Sequence, residues 1–474
     1  MKKALLVLMA IVLSWSIAAL EMDDYALLDL DDLYELGMNG DAIAQFNLGV
    51  KYHFGYGVDI DYEEALKWYR LAANQAIAEA QYNVGAMYAN GDGVAQDYNE
   101  ALKWYRLAAD QGNEKAQFKL GLMYYTGESI KQSYEEAMKW YRLAADQGMA
   151  EAQFGIGVLY YNGQGVGQDF TEALKWYRLA ADQGDAEAQF NIGVMYAHGE
   201  GVIQNRTEAL KWYRLAADQG MAEAQYNIGF MYYYAKGVTE DYKEALKWFR
   251  LAADKGDVKA QYKIGEMYHN GKFVVQDYQE AMKWYRLAAD QGMAEAQYNM
   301  GVLYYIGHGV GQDFSEALKW YRLAADQGLA EAQHNIGVLY YIGQGVGQDF
   351  TEALKWYRLA ADQGLAEAQF NIGVMYDNGQ GVEKNRKEAL KWFRLAAGQG
   401  MAEAQYNIGL MYYNGQGVSN NMEQAYFWLL IATSTTSGEE YKETRDIVAD
   451  KLKATQRRKI QQEAKAWMTQ KGFE

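Results

Sequence analysis

The chain has 474 residues, a formal net charge of −17 and a pI of about 4.9. That acidic balance argues against nucleic acid as a partner, because phosphate binding wants a basic surface. There is no cysteine and no proline, hence no disulfide, no thiolate metal site and no thiol nucleophile.

The first expected element is a bacterial Sec signal peptide over residues 1–18. Lys2 and Lys3 form a short positive region, and residues 4–13 are an apolar run too short to span a bilayer comfortably. Ser16 and Ala18 are small residues spaced for cleavage after Ala18. The alternative is a retained membrane anchor. Cleavage would take Lys2 and Lys3 with it and make the chain more acidic. No later stretch is long and apolar enough to cross a membrane, so no stable membrane insertion is expected after signal removal. The expected destination is the periplasm or the exterior. Residues 22–40 read as an acidic N-terminal capping helix, an orphan second helix of a hairpin over 24–37. It carries Asp23, Asp24, Asp29, Asp31, Asp32 and Glu35, with Gly40 at its terminating position.

From residue 41 to 434 the chain repeats itself. The pair Ala-Gln recurs at Ala44, Ala80, Ala116, Ala152, Ala188, Ala224, Ala260, Ala296, Ala332, Ala368 and Ala404, always 36 residues apart. In the second unit, Ala80, Val84, Met87 and Tyr88 share one helical face, which defines helix A. Gly85 beside that face allows close helix approach, Gly91 and Gly93 end the helix, and Val94 plugs the turn. Asp97 and Glu100 form a capping box that opens helix B. Ala101, Trp104, Ala108 and Ala109 make its buried stripe. Lys103, Arg106 and Asp110 make its wet face, with Arg106 and Asp110 spaced for an i, i+4 pair. Gly112 closes the unit. So small a hairpin cannot bury its apolar faces alone and must stack on its neighbours. Residues 435–474 read as C-terminal capping helices: Phe427, Leu429 and Leu430 stand where other units have Lys, Tyr or Phe, and Arg, and Val448, Leu452, Ile460 and Trp467 are placed to cover this apolar outer face.

Ala80, Gly85, Tyr88, Gly91, Gly93, Val94, Asp97, Ala101, Trp104, Ala108, Ala109 and Gly112 resemble the Sel1-like repeat, a relative of the tetratricopeptide repeat. The resemblance covers about residues 40–434. It implies an all-α, right-handed α/α superhelical solenoid of eleven 36-residue helix-turn-helix repeats with helical caps at both ends. Members of that family mostly act as scaffolds or adaptors. Some exported bacterial members take part in host contact, polysaccharide export or envelope regulation. Cysteine-rich members linked to β-lactams or peptidoglycan rely on cysteines that this chain lacks.

A second face of helix A is the candidate partner-binding stripe. It comprises Phe46, Tyr82, Phe118, Phe154, Phe190, Tyr226, Tyr262, Tyr298, His334, Phe370 and Tyr406, joined by Tyr161, Tyr305 and Tyr341 one to two turns on. By analogy with tetratricopeptide repeats these line the concave surface, where aromatic faces suit an extended peptide or a glycan. The competing expectation is that the rings merely pack against the next helix A.

Catalytic chemistry is not legible. His53, His198, His269, His308 and His334 form no i, i+4 pair, so no metal site is expected. No serine stands in a nucleophile elbow, and Gly163, Gly165 and Gly167 read as a repeat turn and not as a phosphate loop. Residues 157–184 and 337–364 differ only at Asn162 against Ile342, which suggests that a block of five repeats was copied. The resulting expectation is a monomeric, cofactor-free scaffold that is not an enzyme and binds a protein partner through its groove. The alternatives are an envelope enzyme or binding protein for peptidoglycan or β-lactams, and a glycan-binding protein of polysaccharide export.

Overall fold

A computed structural model describes Tyr25 and residues 28–436 and 438–473. The expected signal peptide and the acidic pair Asp23 and Asp24 lie outside the described residues. Among those residues every regular element is a helix. The chain divides into two compact units, one ending at Asp241 and one beginning at Tyr242. The first holds an N-terminal helix, Leu30–Met38, five complete hairpins and helix A of the sixth, Ala222–Tyr233. The second holds helix B of the sixth, Tyr242–Asp254, five further hairpins and two C-terminal helices, Glu439–Ala449 and Ala454–Lys471.

The second hairpin shows how the sequence makes the unit. Helix A, Ala78–Asn90, stops at Gly91, whose φ of 84° is the left-handed cap conformation. Gly93, at φ 65°, has a different job. A Cβ there would lie 2.4 Å from the backbone carbonyl carbon of Tyr62, so glycine lets the turn rest on the preceding helix B. Helix B, Tyr98–Asp110, is N-capped by Asp97, whose carboxylate accepts the amides of Asn99 and Glu100. Such a cap is worth roughly 1 kcal/mol.

The reciprocal half of the capping box is not formed. The Asp97 amide donates instead to the Tyr88 carbonyl at 2.9 Å, tying the turn to the end of helix A. Glu100 is thereby released to pair with Lys103 at 2.5 Å. Among the described residues no ion pair joins Arg106 to Asp110. The Arg106 guanidinium donates to the Tyr124 hydroxyl of the next repeat at 2.8 Å, a partner that tertiary stacking supplies.

The core lies between repeats. Helix B of one repeat and helix A of the next bury a shared cluster, here Ala65, Leu66, Tyr69, Ala72, Ala73, Ala80, Val84 and Met87, and Trp104 of the following helix B leans on it. The expected stripe of helix B thus needs one correction. Tyr105 is its fully buried ring, whereas Trp104 is half-buried and bridges to the neighbouring cluster. Tyr105 fits because Gly85 faces it: a Cβ on Gly85 would lie 2.8 Å from the ring.

At the N-terminus a helix runs over Leu30–Met38, where Asp29 takes the cap position and accepts the Asp32 amide. Leu33 is its buried anchor. At the other end, Leu429, Val448, Leu452 and Ile460 form one buried cluster with Phe427 and Leu430 at its edge. The Trp467 ring packs edge-on against Phe427 and Trp428. No described helix is long and apolar enough to cross a membrane.

Candidate partner-binding face

Two ladders hold consecutive repeats in register and so fix the spacing of anything displayed on helix A. In one, arginine of helix B donates to a tyrosine hydroxyl of the next helix A, as in Arg142 to Tyr160 and Arg322 to Tyr340, each at 2.8 Å. The other is buried. Gln117 donates to the Ala109 carbonyl at 3.2 Å and accepts from Gln147 at 2.8 Å, which satisfies its amide inside an apolar layer. The pattern lapses at Gln405, whose Oε1 has no partner among the described residues.

On this frame the aromatic stripe is neither free nor core. All thirteen tyrosine and phenylalanine residues expected there, Phe46, Tyr82, Phe118, Phe154, Tyr161, Phe190, Tyr226, Tyr262, Tyr298, Tyr305, Tyr341, Phe370 and Tyr406, are half-buried, as is His334. Several rings rest on helix B of their own hairpin. Phe118 meets Tyr141 at 5.7 Å between centroids, Phe154 meets Tyr177 at 5.6 Å and Tyr298 meets Tyr321 at 5.8 Å. Tyr161, Tyr305 and Tyr341 lie edge-on to Phe170, Phe314 and Phe350 at the start of helix B, at 5.2, 5.3 and 5.2 Å. Each ring keeps a partly accessible surface. Tyr406 differs: it stacks on Tyr441 of the C-terminal helices at 4.2 Å, so the stripe ends in an intramolecular contact.

Polar groups between the rings were not anticipated. Asn299 donates to the Tyr262 hydroxyl at 3.3 Å, and Asn371 lies 3.0 Å from His334 Nε2; both bonds join one helix A to the next. The signal was present as asparagine recurring at Asn83, Asn191, Asn227, Asn299, Asn335 and Asn371. The Tyr161 hydroxyl donates to Glu200 at 2.7 Å and that of Tyr341 to Gln380 at 2.9 Å. Burial, reinforced by Glu200, pushes the Tyr161 phenol up to about 12; burial, with Glu266 adding to it, does the same for Tyr262. These phenols stay neutral hydrogen-bonding groups at physiological pH.

Among the described residues no cluster of histidine and carboxylate could hold a metal ion. His53 and His269 sit against Tyr62 and Tyr278, and burial lowers the pKa of both. Gly163 and Gly165 take φ of 69° and 70° in a repeat turn, as their position in the unit requires.

The Sel1 repeat matches this chain eleven times between residues 42 and 434. Among solved structures, a protective antigen of uropathogenic Escherichia coli displaying an SLR fold is 36% identical, with 93% of this chain and 95% of that chain covered and a TM-score of 0.78. A Sel1 repeat protein from Oxalobacter formigenes is 35% identical over 65% of this chain and 90% of that one, with a TM-score of 0.54. A comparison with curated protein sequences yields no match. The chain belongs to the Sel1-repeat family, and its fold is the all-α repeat solenoid of that family. Proteins of this family are generally interaction scaffolds, and their solenoids are typically non-enzymatic.

Proposed function

We propose that this protein is an exported scaffold that binds a protein partner along the aromatic face of helix A, without turnover. One observation carries the reading: a ring recurs at a fixed 36-residue interval from Phe46 to Phe370, and each of these rings is half-buried, not lost in the core. A ring held by its neighbours loses little side-chain freedom on binding and presents a large contact area, which is what interface anchors require. Near-identical rungs suit a long or multivalent contact better than a single pocket.

Export rests on Lys2, Lys3 and the apolar run that follows, and draws support from similarity to a protein described as a protective antigen. Fractionation with N-terminal sequencing tests it, a mature chain beginning at Ala19 being the expected product.

The binding reading is tested with Tyr298, Tyr305 and Tyr341 replaced together by alanine. Capture of a partner from envelope and host extracts should be lost while far-UV circular dichroism is unchanged. Loss of helicity instead would make the rings packing elements and remove the argument for this face.

A further inference from the structure

The carboxylates of this molecule fall into two classes. Those near the start of helix B are neutralised within their own helix: Glu316 pairs with Lys319 at 2.7 Å, Glu352 with Lys355 at 2.6 Å and Glu388 with Lys391 at 2.5 Å. Those near the start of helix A are not. Glu295, Glu331 and Glu367 are exposed, and among the described residues none of them forms an ion pair. Each stands three residues before Tyr298, His334 or Phe370 and shares its helical face. The row therefore runs beside the aromatic stripe. Besides burial, the Glu331 and Glu367 carboxylates raise the Tyr298 phenol, against the opposing bond from Asn335, so carboxylates and rings feel one another. Lys259 holds the same position in the preceding repeat and ends the row on that side.

Spacing adds a second constraint. The Asn371 to His334 contact shows that consecutive A helices touch, which places their axes about 8–10 Å apart. A polyproline II chain rises about 9 Å over its three-residue turn and so presents one side chain per repeat. A β-strand, repeating at about 6.8 Å, falls out of step with the row. Aromatic-lined grooves are also the usual receptors for polyproline II segments.

We infer that the face formed by Glu295, Glu331 and Glu367 with Tyr298, His334 and Phe370 receives a cationic peptide in polyproline II conformation, one basic side chain meeting each carboxylate. The inference rests on the binding face proposed above and adds the chemistry of its occupant.

Three fluorescent nine-residue peptides test it on the full chain: three copies of Lys-Pro-Leu, of Ser-Pro-Leu and of Glu-Pro-Leu. The lysine peptide should bind, lose affinity as salt is raised, and bind about tenfold more weakly to a Glu295→Gln, Glu331→Gln, Glu367→Gln variant, which keeps the shape of the face. A variant with Glu316→Gln and Glu352→Gln on helix B should bind it unchanged. The inference is overturned if the lysine peptide does not bind, if the serine peptide binds equally well, or if the helix A variant retains full affinity. Failure of these peptides alongside tyrosine-dependent capture of a partner would sink the charge inference and leave the binding face standing.

Discussion

At Gly337 a Cβ would lie 2.6 Å from two carbons of the buried Tyr357 ring, and a ring held between two helices cannot swing aside. Gly337→Ala should cost about 1–3 kcal/mol through overpacking. Gly347, in the turn of the same repeat, has nothing within 4 Å and an ordinary φ, so Gly347→Ala should leave the thermal midpoint unchanged within error. Equal effects in thermal denaturation would refute the close-approach account. His334 gives a pH-dependent case. Burial lowers its pKa below the usual value, against the opposing influence of Asn335 and Glu367. A histidine held neutral in the fold contributes stability that is present above its unfolded pKa of about 6.5 and is lost as pH falls through the folded value. His334→Phe, the residue type found one repeat later at Phe370, should therefore reduce the loss of stability between pH 7 and pH 5. An unchanged difference between the two midpoints would exclude His334 as a source of acid sensitivity.

The element that departs from the repeat is the last helix B, Met422–Thr435. Its Phe427 and Leu430 are half-buried, where Lys391 and Arg394 one repeat earlier are exposed, because the two C-terminal helices lie on the face that other repeats give to water. Leu430→Asp should loosen that cap, placing a carboxylate among Val448, Leu452 and Ile460 without a partner. Limited proteolysis should then cut early in residues 438–473, whereas Asp110→Lys on an exposed helix B should digest like the parent. Equal resistance of the two variants would contradict the cap assignment. The ladders act at this same scale: Arg322 to Tyr340 and Gln147 to Gln117 each join one hairpin to the next, so slippage by a residue breaks every rung at once.

For the molecule, the well-packed helix pairs of the described repeats are neighbours along the chain, which makes stability approximately a sum of repeat and interface terms. Excising residues 329–364 removes one whole hairpin, Ala330–Ile342 with Phe350–Asp362, and rejoins Gly328 to Leu365 in the same register as Gly364 to Leu365. The shortened chain should keep its helicity per residue and melt at a somewhat lower temperature. Unfolding or aggregation would show that this repeat is not interchangeable.

Much of this was legible in the sequence, and for a physical reason: a 36-residue period repeated eleven times leaves few alternatives for where helices start, stop and bury an alanine. Asp97 as an N-cap, Gly91 as a C-cap and Ala80, Val84 and Met87 as core follow from local rules that act within one or two turns. The failures all concern contacts between one helix and another. Arg106 turns to Tyr124 and not to Asp110, the Asp97 amide turns to Tyr88 and not to Glu100, and Tyr105 displaces Trp104 as the innermost ring. Each choice depends on which neighbour arrives within hydrogen-bonding or packing distance, and periodicity along one helix carries no record of that. The aromatic stripe shows the same division. Its spacing was written in the chain, but only the folded hairpins decided that rings such as Phe118 and Tyr298 pack on a tyrosine of helix B and stay half-buried.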